Sequence, residues 1–279
     1  MVAPSGARAL IEMGERRLAR AGVETPRVDA ELLLAAASGS SRSELVAGLA
    51  DPSGCEDAYE QLLARREQRE PLAYVTGLQG FRRVELAVDP RVLIPRPETE
   101  LLVAVVKVDR PCGILDVATG SGAVALALAD ELPDATITAS DISPDALEVA
   151  GANARALGMG ERVSLIEADL LAGVEGEFDA IAANLPYVET GDIDGLQPEV
   201  ARFEPRLALD GGADGLDLVR RLAEQAPPRL KPGGMLALEI GMGQARETAA
   251  ILARNGFNQI EIHEDLSGIE RVVSGRSAA

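Results

Sequence analysis

From residue 99 onward, short apolar runs alternate with helical segments, and most of the early runs close on an acid or an amide. Gly113 to Val117 is the first run, with Asp116 near its end; Gly120 and Gly122 follow, then a helix rich in Ala and Leu through Leu132. Ala135 to Ser140 leads to Asp141 and a helix over about Pro144 to Leu157. Val163 to Glu167 leads to Asp169, and Phe178 to Ala183 leads to Asn184. Helices near Leu216 to Gln225 and Gln244 to Asn255 flank a strand at Gly234 to Ile240; strands near Gln259 to His263 and Arg271 to Ser274 close the pattern. Repeated strand–helix units predict an α/β fold: a mostly parallel sheet with helices on both faces. Ligands of such sheets sit at the carboxyl ends of the strands. Asp116, Asp141, Asp169 and Asn184 therefore converge on one rim.

The chain before residue 71 has a different texture. Ala9, Leu10, Met13 and Leu18 recur at helical spacing, as do Ala30, Leu33, Leu34 and Ala37. Gly22 and Gly39 read as stops, and Pro26 starts the second helix. A third helix spans about Glu56 to Glu70 and carries Arg65, Arg66 and Arg69, read as a solvated basic face or as a grip on a partner. Between them, Tyr74, Val75, Phe81, Val84, Leu86, Val88, Val92 and Ile94 suggest a short hairpin with turns at Gly77 and Gly80, ending at Pro95 and Pro97. The expected organisation is a helical domain over 1–72, a hairpin connector over 73–95 and an α/β domain over 96–279.

Charge narrows the function. The 279 residues carry 27 basic and 45 acidic side chains, a formal −18. The surplus is uneven: residues 96–279 hold 15 basic against 31 acidic side chains. A rim so negative disfavours a phosphate backbone, so no direct contact with nucleic acid is expected. Cys55 and Cys112 have no metal-ligand spacing, and His263 is the single histidine. A Cys/His zinc site and a Ser-His-Asp triad are thereby excluded, and no metal is expected. The N-terminal residues show no basic-then-apolar leader, and no apolar run is long enough to span a bilayer, so a cytoplasmic protein is expected.

The first turn reads Asp116-Val117-Ala118-Thr119-Gly120-Ser121-Gly122. Small residues let a ligand approach the backbone, as any nucleotide cofactor requires. No Lys or Arg lies between Asp116 and Glu131, however, so a phosphate would find no compensating charge there. A cofactor with a cationic centre and a neutral adenosine, S-adenosylmethionine, suits the site better. Asp141 then accepts hydrogen bonds from the ribose hydroxyls, or else caps the helix that follows Ser143-Pro144. At the fourth strand end stands Asn184-Leu185-Pro186-Tyr187. The Asn184 side-chain carbonyl and the Leu185 backbone carbonyl can accept the two hydrogens of an amide NH₂, Pro186 stiffens the turn, and Tyr187 offers a flat face for stacking. The alternative is a plain loop with a capping Asn and a packed Tyr.

Taken together, these segments resemble the HemK/PrmC family, the N5-glutamine methyltransferases of peptide chain release factors. The resemblance is carried by AGVETPRVDAELLL at 21–34, EPLAYVTG at 70–77, VLIPRPETE at 92–100, DVATGSG at 116–122, SDIS at 140–143, EPRLALDGGADGLD at 204–217, LKPGG at 230–234, EIGMGQ at 239–244 and DLSGIERVV at 265–273. It implies a Rossmann-like S-adenosylmethionine-dependent methyltransferase domain preceded by a small helical substrate-recognition domain and a β-hairpin connector. It implies cofactor contacts from Ala118, Thr119, Gly120, Ser121, Gly122, Asp141, Asp169, Leu170 and Asn184. It implies that Asn184, Leu185, Pro186 and Tyr187 hold the glutamine of a release factor's Gly-Gly-Gln loop, with Arg96, Glu98 and Thr99 beside the mouth.

Two positions depart from the family pattern. Leu185 stands where the family usually has the first proline of Asn-Pro-Pro-Tyr, which gives up a fixed φ. Asn-Leu-Pro-Tyr is also the form of the ribosomal-RNA adenine dimethyltransferases, which keeps open an amino-group methyltransferase acting on a nucleic-acid base. Ala118 replaces a common glycine. A paralogue methylating another protein or a small molecule, and a non-catalytic module that keeps the fold, are the remaining alternatives.

Overall fold

The computed structural model describes residues 6–278; the segment Met1 to Ser5, read above for a leader, lies outside the described residues. The elements in chain order are α1 (Ala7–Arg20), α2 (Pro26–Ser38), α3 (Arg42–Val46), α4 (Glu56–Glu67), α5 (Leu72–Thr76), β1 (Leu78–Phe81), β2 (Val84–Ala87) and α6 (Glu100–Val106). There follow β3 (Gly113–Val117), α7 (Ala123–Glu131), β4 (Thr136–Asp141), α8 (Pro144–Ala156), β5 (Val163–Glu167) and β6 (Phe178–Asn184). The last are α9 (Pro198–Phe203), α10 (Asp217–Gln225), β7 (Leu230–Glu239), α11 (Ala245–Arg254), β8 (Asn258–Glu264) and β9 (Glu270–Arg276). The chain forms two compact units, one of residues through Leu78 with Gln197–Phe203, the other of Gln79–Leu196 with Glu204 onward.

In the helical unit α1, α2 and α4 bury Leu10, Leu18, Leu33, Leu34, Tyr59 and Leu63 against one another. Gly14 lets the Tyr59 ring come in close: a Cβ there would meet the phenol oxygen at 2.2 Å. That hydroxyl is hydrogen-bonded to the carbonyls of Leu10 and Ala30, so the buried tyrosine joins two helices without an unpaired polar atom. Helix α3 went unread in the sequence although Ser41 and Glu44 form a capping box at its start.

Arg65 and Arg66 of α4, and Arg69 just beyond its end, are neither a solvated face nor a free grip. Arg66 is buried and bonds Asp29 at 2.8 Å and Glu199 at 2.8 Å. Arg69 holds the same Glu199 bidentately at 2.6 and 2.7 Å. Arg65 pairs with Glu70 and caps the carbonyls of Tyr74 and Val75. The reason is length: a guanidinium reaches carboxylates that are distant in sequence, and burial makes the pairing obligatory. Burial works to raise the pKa of Glu199, but hydrogen bonds from Arg69 and Arg66 outweigh it and hold the carboxyl at about 2.

Tyr74 and Val75 belong to a helix, not to the hairpin expected of them. Pro71 starts α5 and Gly77, at φ +79°, terminates it in the left-handed conformation that glycine adopts most easily. The hairpin itself is β1–β2, turning at Arg82 and Arg83 rather than at Gly80.

The second unit holds a seven-stranded sheet in the order β5-β4-β3-β6-β7-β9-β8. The first five strands pair in parallel, and β9 pairs antiparallel with both β7 and β8. The period-2 rule sends Ile114, Ala180, Ala182, Met235 and Ala237 to a core shared with α6 and α7. It sends Leu115, Ile181, Ala183, Leu236 and Leu238 to a core shared with α10 and α11. Both faces are covered, as the strand–helix alternation requires. The fold is the Rossmann-like α/β architecture expected from the sequence.

Candidate active site

A cavity of about 610 Å³ opens at the carboxyl ends of β3, β4 and β6, within the usual range for a small-molecule site. Its lining includes Ala118, Thr119, Gly120, Ser121, Asp141, Asp169, Leu170, Asn184, Leu185 and Pro186. Gly122 and Tyr187 stand outside that lining. Gly122, at φ +84°, packs its backbone on Leu126 and Ala150 at the start of α7.

The turn after β3 is built around Asp116. Its Oδ2 accepts from Thr119 Oγ1 at 2.6 Å and from the amide of Ala125 at 3.2 Å, fastening the turn to the first coil of α7. Burial lifts this carboxyl to about 7 against those hydrogen bonds. Asp141 closes the turn from the neighbouring strand: it accepts from Gly120 N at 2.9 Å and Ser143 N at 2.9 Å. The helix cap is Ser143, whose hydroxyl accepts from Ala146 N. A carboxylate has about four acceptor sites, so Asp141 keeps capacity for ligand hydroxyls. Asn153 of α8 adds a strut that the sequence did not reveal, donating to the Ser121 carbonyl at 2.9 Å. Ala118 sits at φ +58°, a conformation that costs a residue with a Cβ roughly 1 kcal/mol.

Asn184 ends β6 with its Nδ2 donating to Thr99 Oγ1 at 3.2 Å. Among the described residues nothing donates to its Oδ1 or to the Leu185 carbonyl. The Leu185 side chain is 2% exposed and joins the core with Val117, Leu216 and Leu238. The fixed φ lost with proline is thus replaced by burial worth about 2 kcal/mol.

The backbone of this turn is clamped from behind by residues outside the predicted site set. The amides of Val188 and Gly211 exchange bonds with the carbonyls of Leu209 and Val188. A Cβ on Gly211 would meet the Pro186 carbonyl at 2.6 Å, and one on Gly215 the Tyr187 carbonyl at 2.2 Å. Gln244 bridges the Tyr187 carbonyl, 3.0 Å away, and the Gly241 amide, 2.8 Å away. Gly211 and Gly215 thus leave room for the carbonyls of the turn, and Gln244 ties the Tyr187 carbonyl to the Gly241 amide. Tyr187 lies against Gly241 and is pushed up to about 12 by burial, with Glu239 adding to it.

Electrostatics at the cavity match the sequence reading. Arg91, Arg206 and Arg221 reach the lining, but each is engaged by carboxylates: Asp89 and Glu148, Asp194 and Asp210, and Asp169. Arg96 pairs with buried Glu204 at 2.5 Å. Every arginine of the lining thus has a carboxylate partner. Asp116 and Asp141, with the unpartnered buried hydroxyl of Ser121, favour a polar ligand with positive charge. S-adenosylmethionine fits this donor and acceptor set.

Known proteins agree. Residues 9–77 match the PrmC N-terminal domain and residues 97–197 the Methyltransferase small domain. A release factor glutamine methyltransferase of Rhodospirillum rubrum is 47% identical over 278 residues, covering 97% of this chain and 85% of the relative. The chain belongs to the release factor glutamine methyltransferase family. A second member, from Geobacter sulfurreducens, is 43% identical over 264 residues, covering 93% of this chain and 92% of the relative. Members of this family are S-adenosylmethionine-dependent enzymes, so the cationic cofactor read from the glycine turn is the family's own. A methyltransferase structure from Pyrococcus furiosus, 19% identical with a TM-score of 0.53 over 70% of this chain and 89% of that one, shares the fold. No helix among the described residues is long and apolar enough to cross a membrane.

Proposed function

We propose that this enzyme methylates the N5 amide nitrogen of the glutamine in a release factor's Gly-Gly-Gln loop, in the cytoplasm and without contacting nucleic acid directly. The observation that carries the reading is the pair of free acceptors, Asn184 Oδ1 and the Leu185 carbonyl, on a clamped turn beside the glycine loop.

Asp141, Asp169, Leu170 and the turn Ala118–Gly122 would hold S-adenosylmethionine, with Gly122 acting through the shape of the turn. Bound there, the cofactor supplies an electrophilic methyl carbon. The protein's task is to aim a poor nucleophile, because an amide nitrogen shares its lone pair with its carbonyl. Two acceptors on the two N–H bonds fix the plane of the amide and turn the nitrogen toward the methyl group. As positive charge develops on nitrogen, the same two carbonyl dipoles stabilise it. Pro186 and the clamp on Tyr187 hold those dipoles in place before substrate arrives, so positioning supplies most of the rate. The proton leaves late, once methylation has acidified the nitrogen.

The nucleic-acid alternative rests on Leu185. Although the residue lines the cavity, its side chain is 2% exposed and packs in the core with Val117, Leu216 and Leu238, so packing accounts for its identity. The deciding experiment incubates the enzyme with methyl-labelled cofactor and either a release factor, the same factor with Gln→Ala in the Gly-Gly-Gln loop, or ribosomal RNA. Label is expected only in the first; label in RNA, or in the Gln→Ala factor, overturns the reading.

A further inference from the structure

Asn184 and Glu239 are register partners at the ends of the parallel strands β6 and β7, so their side chains leave the sheet on the same face. That face is the one covered by α6. Thr99, at the start of α6, is buried over them. Its hydroxyl oxygen receives Asn184 Nδ2 at 3.2 Å, and its side chain also faces the Glu239 carboxyl, whose charged form it favours against burial. Glu239 is 2% exposed, lies outside the cavity lining, and has a second oxygen, Oε2, without a partner. A buried carboxyl in such a position is costly and requires an explanation.

Proton counting supplies one. A threonine hydroxyl owns one proton, and an ionised carboxylate can only accept. With Glu239 ionised, the Thr99 proton points at Glu239, and the Thr99 oxygen can only accept from Asn184. The carboxamide must then turn its NH₂ toward Thr99 and its Oδ1 toward the cavity. Protonated, Glu239 becomes a donor to Thr99, whose own proton is free to go to Asn184 Oδ1. The amide then turns over and presents NH₂ to the substrate's NH₂, two donors facing one another.

We propose that Glu239, acting through Thr99, is a positioning residue that fixes the Asn184 carboxamide with its carbonyl toward the substrate nitrogen. This rests on the proposed role of Asn184 in holding the glutamine amide. The groups around Glu239 set when the device operates. Burial raises its pKa to about 7; Thr99 opposes this, Glu98 adds to it, and Arg271 and Arg96 oppose it, while Tyr187 beside it stays neutral. Turnover is expected to fall as pH drops through the neutral range.

The test uses the full chain with labelled cofactor and an intact release factor, comparing wild type with Thr99→Val, Thr99→Ser and Glu239→Gln. Thr99→Val keeps the shape and removes the hydroxyl. It is expected to lower kcat by roughly 10- to 100-fold, the range for a charge-assisted hydrogen bond, with cofactor Kd and KM for the release factor changed less than about twofold. Thr99→Ser restores turnover. Glu239→Gln loses the acid limb of the kcat profile near neutral pH, whereas a limb belonging to Asp116, which also titrates at about 7, would survive it. Wild-type kcat in Thr99→Val, failure of Thr99→Ser to rescue, or an intact limb in Glu239→Gln overturns the proposal. An inactive wild type sinks the functional reading and this inference together, while an active wild type beside an unimpaired Thr99→Val sinks only the inference.

Discussion

The two units treat buried polarity in opposite ways. In the helical unit every notable buried charge is closed on another: Arg66 on Asp29 and Glu199, Arg69 on Glu199, and Glu31 on Arg27 and Arg42. In the α/β unit the rim keeps buried atoms without partners: Ser121 Oγ, Ser140 Oγ, Glu204 Oε2 and Glu239 Oε2. Closed networks specify a fold; open ones cost stability and persist where a ligand or a working geometry uses them. The open polar atoms therefore lie in the α/β unit, and the arginines that look most available in the sequence are the ones already engaged.

The sharpest way to break this contrast is at Asn184. Asn184→Ala is expected to lower kcat by about 100- to 1,000-fold, the range for losing one preorganised dipole, with cofactor Kd changed less than about threefold by isothermal titration. Equal losses in both would make Asn184 a cofactor or folding residue. Asp29→Ala tests the other side. It leaves Arg66 short of a buried partner and should cost about 3 kcal/mol of stability, read by urea unfolding, while kcat of the folded fraction stays at the wild-type value.

Acid separates the units further. Glu199 titrates at about 2 in the fold and near 4.5 when unfolded, so its contribution is full above 4.5 and fades as pH falls toward 2. Asp116 and Glu239 are raised to about 7, so they bind extra protons in the folded state, and stability falls as pH rises from about 4.5 to 7. Hydrogen exchange followed by mass spectrometry should show the α/β unit loosening as pH rises from about 4.5 to 7 while the helical unit, through Glu199, responds only below 4.5; a helical unit that loosened equally in the neutral range would contradict the charge contrast. The smallest effect is Ala118→Gly, which relieves a left-handed residue and should raise stability by about 1 kcal/mol at most. An unchanged or lowered Tm would mean that the turn accommodates the methyl without strain.

The repeated strand–helix pattern was legible because periodicity and turn chemistry are local properties of sequence. So were the rim residues, since each occupies the same place in its unit of the repeat. Glu239 carries the same signal as Asp141, an acid closing a strand, and could have been read that way. The bond between Thr99 and Asn184 could not: the resemblance sets Thr99 beside the mouth, but the two side chains meet across 85 positions of sequence only because α6 lies over β6 and β7. The pairing of Arg69 with Glu199, 130 positions apart, is likewise a product of tertiary structure. Tyr74 and Val75 misled because an apolar pair reads as strand or as buried helix until the flanking Pro71 and Gly77 decide it.

Gln197–Phe203 belongs to the helical unit although the chain on either side of it belongs to the other. The polypeptide passes from one unit to the other at three points rather than one. An N-terminal fragment ending at Leu78 would strand Arg69 without its carboxylate, so the helices cannot be excised intact by a single cut. Recombination that exchanged one helical unit for another would need two coordinated crossovers, a strong brake on shuffling, and the two units are thereby obliged to be inherited as a pair.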